Sequence, residues 1–240
     1  MKIIGICANS AEGSSLCYLE CVHAGEAELG AHFHPEIALS CIAMGESLGF
    51  WESGDYPAAR AIFAESIEKL AAAGADFFIV PDNTAHIALE AEGGPLALPG
   101  LHIAEVVAET AKAKGFKTLA LLGTKWTMEG PVYPASLARR GIKHMTPGAE
   151  ERAFVDATIF GELCRGIFNP ETIERYCAVI EGLKKKGCDS VILGCTEIPI
   201  IINEKNSALP VLDSTRLLAR AAVRTALGQA TMPTWRGGPL

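Results

Sequence analysis

The chain lacks an apolar run long enough to cross a membrane, a signal-peptide pattern and an excess of positive charge. No apolar run reaches the roughly 18 residues that a spanning helix needs. The 21 Lys and Arg residues face 28 Asp and Glu, giving a net charge of −7. The one basic cluster, 184–186, is typical of a solvated helix end. We therefore expect a cytoplasmic protein with neither a nucleic acid nor a membrane as its partner.

Several motifs of cofactor and nucleophile sites are also absent. Gly-x-Gly-x-x-Gly, the phosphate-binding loop Gly-x-x-x-x-Gly-Lys-Ser/Thr and a serine nucleophile elbow do not occur. Cys17 and Cys21 are four residues apart on a predicted helix, with His23 near, which is a spacing that could bind a metal. The chain has no second ligand pair of suitable spacing, so we interpret them as core cysteines and predict no metal site. Four other cysteines in apolar segments are interpreted as small buried hydrophobes: Cys7, Cys41, Cys177 and Cys188.

What the chain does contain is an alternation of strand-like and helix-like segments. Strands are predicted near 2–7, 36–42, 76–80, 117–122, 141–145, 189–193 and 209–212. Helices are predicted near 14–29, 55–73, 84–91, 102–114, 130–140, 150–165, 170–186 and 214–227. This order is typical of parallel sheets covered by helices. The predicted fold class is α/β, with two similar Rossmann-like lobes, mostly parallel sheets and a cleft between the lobes.

A segment rich in proline and glycine, residues 93–100, marks the predicted boundary between the lobes. The first lobe is predicted to cover 1–98 plus 214–228, and the second to cover 101–212. Residues 229–240 are predicted to form a C-terminal tail without regular structure. Hydrophobic residues make up 49% of the chain, which is enough for well-buried cores.

Two loops that follow predicted strands carry the most informative side chains. Leu193-Gly194-Cys195-Thr196-Glu197 and Pro81-Asp82-Asn83-Thr84 both lie where α/β sheets bind ligands. A strand-to-helix turn lowers the pKa of a thiol, which makes Cys195 a candidate thiolate. A structural cysteine is the alternative for Cys195, and a helix cap is the alternative for Asp82.

Two further loops supply hydrogen-bond donors at predicted strand ends. Ala8-Asn9-Ser10 follows the first strand, and Gly123-Thr124-Lys125-Trp126-Thr127 follows another. Ordinary turn chemistry explains each loop separately. Four such loops at one kind of sheet edge favour a small anionic ligand. Lys125 is assigned a polar contact, and His86 is interpreted as a packed or solvated histidine.

These motifs together resemble the aspartate/glutamate racemase family, within the Asp/Glu/hydantoin racemase superfamily. The matching pieces include 81–86, 121–124, 194–198 and 210–213, and they extend over nearly all of the chain up to residue 228. Glu197 stands where the glutamate racemase branch usually has His, so the aspartate-racemase branch is favoured. Asp82 stands where the family commonly has its first catalytic cysteine.

The resemblance implies an isomerase of amino-acid metabolism that needs no cofactor and no pyridoxal phosphate. In that family one thiolate removes the α-proton and a second thiol protonates the opposite face. Carried over, Cys195 and Asp82 are the predicted catalytic residues. The predicted substrate-binding residues are Asn9, Ser10, Asn83, Thr84, Thr124, Thr127, Thr196 and Glu197. The expected substrate is a small acidic amino acid, and the expected assembly is a homodimer.

Asp82 leaves alternatives open, because an ordinary aspartate is a weaker base than a cysteine thiolate. It could replace the thiol as a carboxylate base in a racemase or epimerase. Alternatively, Cys195 could act alone in a related isomerase or decarboxylase of small dicarboxylates. A third alternative is a protein that binds small acids without turnover.

Overall fold

The computed structural model describes all 240 residues and divides the chain into two compact units. Unit 1 comprises Met1–Ile103 and Leu218–Leu240, and unit 2 comprises Ala104–Leu217. The boundaries inside the chain lie within five residues of the predicted ones, whereas residues 229–240, which were predicted as a separate tail, belong to unit 1. No helix has both the length and the apolar character needed to pass through a bilayer.

Unit 1 is built around a four-stranded sheet whose neighbouring strands are all parallel. Its strands are β1 (Ile4–Ala8), β2 (Ile37–Cys41), β3 (Phe77–Ile79) and β4 (Gly100–Leu101), in the order β2-β1-β3-β4. The connecting helices are α1 (Ala11–Leu29), α2 (Met44–Ser53), α3 (Tyr56–Ala72) and α4 (Ala85–Glu90). The central strands β1 and β3 are buried along their whole length, as their apolar sequences require.

Unit 2 repeats this plan with a second four-stranded parallel sheet. Its strands are β5 (Thr118–Gly123), β6 (Lys143–Met145), β7 (Ser190–Gly194) and β8 (Val211–Asp213), in the order β6-β5-β7-β8. The later helices of the chain are α5 (Ile103–Ala113), α6 (Lys125–Glu129), α7 (Val132–Ala138), α8 (Ala149–Gly161), α9 (Pro170–Lys185), α10 (Ile198–Ile201) and α11 (Ser214–Ala226), with a short 3-10 helix at Leu163–Arg165.

The shared strand order gives the two sheets equivalent positions. In each sheet the first strand of the unit pairs with the second and the third, and the third also pairs with the fourth. Asp82 follows β3 and Cys195 follows β7, so both lie after the third strand of their sheet. The α/β fold class with two Rossmann-like sheets is therefore confirmed.

Most of the differences from the predicted elements involve short segments. Strand β4 has two residues, and helices α6 and α10 have five and four, so none carries a recognisable period. Helix α2 has ten residues and was also missed. Its sequence Met44-Gly45-Glu46-Ser47-Leu48-Gly49 contains two glycines, which disfavour a helix.

The cysteine interpretation was right for some residues and wrong for others. Cys7, Cys17, Cys21 and Cys188 are buried, as predicted. Cys41 is exposed because it ends β2, an edge strand that pairs on one side only. Cys177, on α9, is half-buried. Apolar neighbours in the sequence therefore overstated the burial of these two.

Candidate active site

The predicted site residues of unit 1 lie at one edge of its sheet. Because β1 and β3 are parallel neighbours, Asn9 after β1 and Asp82 after β3 lie at the same edge. Asn83 and Thr84 continue the loop after Asp82. Asn9, Asn83 and Thr84 are buried. Asp82 and Ser10, which precedes α1, are half-buried. The structure thus brings together the predicted site residues of unit 1.

Asp82 has a structural role in its own loop. Its Oδ1 atom accepts hydrogen bonds from the backbone N–H of Thr84, at 2.8 Å, and of Ala85, at 3.3 Å. The side chain therefore caps the first amides of α4 from two residues before Thr84, which is the N-cap residue itself, so the alternative prediction of a helix cap holds in effect but not in position. Capping fixes the direction of the carboxylate, which is compatible with a chemical role.

The predicted residues of unit 2 gather at the corresponding edge of the second sheet. Cys195 is 7% exposed, Thr196 5% and Glu197 2%, so the turn after β7 is closed to bulk water. The Cys195 Sγ donates a hydrogen bond to the Glu197 Oε2 atom at 3.1 Å. The other carboxylate oxygen of Glu197, Oε1, is buried without a hydrogen-bond partner. A buried oxygen in this state is energetically costly and is suited to a donor on a ligand.

The pKa of Cys195 is shifted upward, whereas the sequence pattern predicted a downward shift. Burial raises the pKa of this thiol well above its usual value, and the nearby Glu197 and Cys164 raise it further. The stabilisation of the thiolate that was predicted from the strand-to-helix turn is insufficient, because α10 is a single turn and the charged Glu197 lies at its start. Cys195 is therefore a thiol, suited to proton donation, and it becomes a base only after it has given up its proton.

The threonine loop after β5 lies beside the Cys195 turn because β5 and β7 are parallel neighbours. Thr124 caps α6, accepting a hydrogen bond from the Thr127 N–H at 3.2 Å, and the two hydroxyls lie 3.2 Å apart. Gly123 and Gly194 face each other in the register of the two strands. A Cβ atom on Gly123 would lie 2.6 Å from the Gly194 carbonyl oxygen, so glycine permits this close approach.

The sequence interpretation missed the polar residues that follow β8. Ser214 donates to the Leu193 carbonyl oxygen at 2.7 Å and so ties β8 to the strand that carries Cys195. The buried Tyr133 on α7 is hydrogen-bonded to Ser214, and burial raises the pKa of the Tyr133 phenol. The rule used for the other loops, polar residues after a strand, would have found Ser214. Lys125 is exposed, with its Nζ atom 4.4 Å from the ring centre of Trp126.

Comparison with known proteins agrees with the resemblance in the motifs. The family model "Asp/Glu/Hydantoin racemase" matches residues 3–222. The chain belongs to the Asp/Glu/Hydantoin racemase family. It is 27% identical over 178 residues to the broad-specificity amino-acid racemase RacX of Bacillus subtilis, covering 72% of this chain and 74% of that protein. Membership of this racemase family confirms the prediction of an isomerase.

Two solved structures of the family are similar over most of the chain. A Yersinia pestis protein assigned as an Asp/Glu racemase has 32% identity and a TM-score of 0.81, covering 95% of this chain and 100% of that one. The aspartate racemase of Picrophilus torridus has 26% identity and a TM-score of 0.79, covering 94% of each chain. These values place the fold firmly among the family's racemases.

Proposed function

We propose that the protein is a cofactor-independent racemase or epimerase that acts on an acidic amino acid, of the aspartate or glutamate type. The observation that carries the proposal is the buried Cys195–Glu197 pair, in which a thiol with a raised pKa donates to a carboxylate. Family membership supports amino-acid racemisation. The Picrophilus torridus relative, an aspartate racemase, favours the acidic substrate.

Racemisation at Cα needs a base on one face, an acid on the other and donors for the charge that develops on the carboxylate. In this proposal the Asp82 carboxylate removes the α-proton of one enantiomer. The C–H electron pair is delocalised into the substrate carboxylate, and the Cys195 thiol gives its proton to the opposite face. The reverse reaction starts from the Cys195 thiolate, with Asp82 returning the proton.

The remaining polar residues are proposed to hold the substrate. Asn83, Thr84, Thr124, Thr127 and Thr196 supply amide and hydroxyl groups for the carboxylates, and Asn9 and Ser10 border their loop. The buried Glu197 Oε1 atom suits the substrate ammonium group, because a carboxylate oxygen without a hydrogen-bond partner gains most from a charged donor.

Solvent deuterium exchange at Cα tests this proposal. Both enantiomers of aspartate, glutamate and a panel of neutral amino acids are incubated in D₂O, and the loss of the α-proton is followed by NMR. We expect exchange and racemisation for an acidic amino acid, and a loss of about 10²–10⁴-fold in Cys195→Ala. Full activity in Cys195→Ala would refute the role of Cys195.

The panel also separates the alternatives. Thermal stabilisation by a small acid without any exchange would indicate a binding protein, and product with loss of carbon dioxide would indicate a decarboxylase. The homodimer expected from the resemblance stays a prediction, tested by light scattering over a range of protein concentrations.

A further inference from the structure

Two buried histidines of unit 1 lie behind the Asp82 loop and have no part in the proposed chemistry. His86, on α4, is fully buried, and His102, just before α5, is 4% exposed. Their rings meet edge to face with centroids 4.5 Å apart. His102 Nε2 lies 2.7 Å from the Glu90 Oε1 atom. Burying such a polar cluster costs free energy, which indicates that the cluster has a structural or functional role.

The hydrogen bonds of His86 define its tautomer. The Nε2 atom lies 3.2 Å from the backbone nitrogen of Ile103, and that N–H can only donate. Nε2 is therefore the acceptor, so in the neutral ring the proton is on Nδ1. The Nδ1–H group then donates to the Asp82 carbonyl oxygen, at 3.0 Å. Burial, together with the neighbouring His102, lowers the pKa of His86 to about 3, which keeps the ring neutral near pH 7.

The C-terminal segment covers this histidine. The Trp235 ring stacks on His86, with a centroid distance of 6.0 Å and an interplanar angle of 9°. The backbone carbonyl of Trp235 accepts a hydrogen bond from the Gly100 N–H at 2.8 Å, and the Trp235 Nε1–H donates to the Gly238 carbonyl at 2.9 Å. The Gly238 N–H in turn donates to the Leu89 carbonyl at 2.8 Å. Trp235 is thus tied both to β4 and to α4.

We propose that His86 is a positioning residue for Asp82, and that Trp235 of the C-terminal segment holds the His86 ring in the orientation that this role requires. The inference rests on the proposed function. Asp82 is fixed at two points: its carbonyl by His86, and its carboxylate by the Thr84 and Ala85 amides. A base held in this way keeps its carboxylate aligned with the α-proton, and misplacement by about 1 Å costs about 10²-fold in rate.

Two amide substitutions separate the two hydrogen bonds of His86. In His86→Asn the side-chain amide lies near the position of Nδ1, so it retains the donor to Asp82 and loses the acceptor for Ile103. In His86→Gln the amide lies near Nε2, so it retains the acceptor for Ile103 and loses the donor to Asp82. The two variants are similar in polarity and serve as controls for each other.

Hydrogen exchange of three backbone amides reads out these bonds without any need for activity. In His86→Gln we expect the Thr84 and Ala85 amides to lose protection and the Ile103 amide to keep it. In His86→Asn we expect the reverse. ¹⁵N shifts of the wild-type ring should show the Nδ1–H tautomer at pH 7. A protonated ring, the Nε2–H tautomer, or equal loss of protection at all three amides in both variants would overturn the proposal.

Kinetics then connect the geometry to the reaction. His86→Gln should lower kcat by about 10²-fold with a smaller change in KM, whereas His86→Asn should remain within about tenfold of the wild type. A purely structural role would reduce the folded fraction and leave kcat per folded molecule equal in the two variants. If the wild type has no turnover, the proposed function fails, while the amide exchange still decides the role of His86.

The contribution of Trp235 is tested within its own segment. Trp235→Phe preserves an aromatic stack, and Trp235→Leu fills the space without one. The control is Arg236→Ala, which removes contacts from Arg236 to the Leu96 and Ala97 carbonyls but leaves the stack. Trp235→Leu should reproduce the loss of Thr84 and Ala85 protection, with rescue in Trp235→Phe. A loss as large in Arg236→Ala would refute a specific role for the ring.

Discussion

At the scale of single residues, burial raises the pKa of Cys195 most, and the neighbouring Glu197 raises it further, so these two effects determine the pH dependence of the proposed reaction. The Glu197 carboxylate both accepts the thiol hydrogen bond and raises the pKa of the thiol by its charge. A thiol whose folded pKa is raised stays protonated to higher pH than an ordinary cysteine. The thiol needed for proton donation is therefore available across the neutral range.

The first prediction is that Glu197→Gln moves the alkaline limb of kcat/KM to lower pH. Glutamine keeps an acceptor near the thiol but removes the negative charge, so the pKa of Cys195 falls. Measuring kcat/KM against pH, with thiolate absorbance at 240 nm as an independent titration, checks this. A rise in KM is also expected, because Glu197 is proposed to bind the substrate ammonium group, but profiles that stay in place would show that Glu197 does not tune the thiol.

The second prediction concerns Asp82, whose carboxylate differs chemically from the thiol of Cys195. Because the two proposed bases differ, one enantiomer should exchange its α-proton faster than the other. Asp82→Asn should suppress exchange from one enantiomer more than from the other, and Asp82→Cys should bring the two rates closer together. Exchange of each enantiomer in D₂O gives both rates. Equal losses for both enantiomers would indicate that Asp82 acts only as a helix cap.

Single residues were predictable where they followed a buried strand and unpredictable where three-dimensional partners determine their chemistry. The motif placed Cys195 at the end of β7, and the structure has it there. The direction of the shift in its pKa depends on burial and on the charge of Glu197 two residues later. Neither effect entered the prediction from the sequence motif. The contact between Trp235 and His86 joins residues far apart in the chain, and no local pattern indicates it.

At the scale of elements, the paired ends of β5 and β7 depend on two glycines. The third prediction is that Gly123→Ala destabilises the protein by about 1–3 kcal/mol, because its Cβ would meet the Gly194 carbonyl oxygen. The control is Gly182→Ala in the last turn of α9, where a Cβ has only an ordinary contact and alanine should stabilise by about 0.5–1 kcal/mol. Denaturant midpoints measure both. Equal stability of Gly123→Ala and the wild type would mean that β5 and β7 can move apart to admit the Cβ atom at no cost in free energy.

The elements themselves were largely predictable because buried strands have continuous apolar runs. β1, β3, β5 and β7 lie within or beside the predicted ranges. The parallel order also followed, since helices separate the strands. The two-residue β4 and the single-turn α10 were not predictable, because elements of this length are defined by their tertiary hydrogen bonds and not by a periodic pattern.

At the scale of the whole molecule, the strand order of one sheet is repeated in the other. The loops after the third strand carry Asp82 in unit 1 and Cys195 in unit 2. Equivalent positions in the two sheets therefore carry the two residues that are proposed to transfer the proton. The two loops nevertheless differ in support, because His86 and Trp235 brace the Asp82 loop, whereas the Cys195 turn is braced by Ser214.

The last prediction concerns the stability of the molecule in acid. The pKa of His86 is lowered to about 3 by burial and by His102, against the opposing effect of Glu90 and the Asp82 carbonyl. An unfolded histidine has a pKa of about 6.5. Between these two values the unfolded chain binds the proton and the native state does not, so stability falls as pH falls from about 6.5 toward 3.

One such proton contributes a slope of at most about 1.4 kcal/mol per pH unit in this window. His86→Asn removes the titrating ring, so the free energy of unfolding should fall less steeply with acid than in the wild type, even though the variant starts from a lower stability at pH 7. Urea unfolding at several pH values between 3.5 and 7 measures the slope, and His23→Asn on the exposed face of α1 is the matched control. Parallel slopes in wild type and His86→Asn would show that His86 takes up its proton without unfolding, and that the ring is not locked by Trp235 in the way proposed.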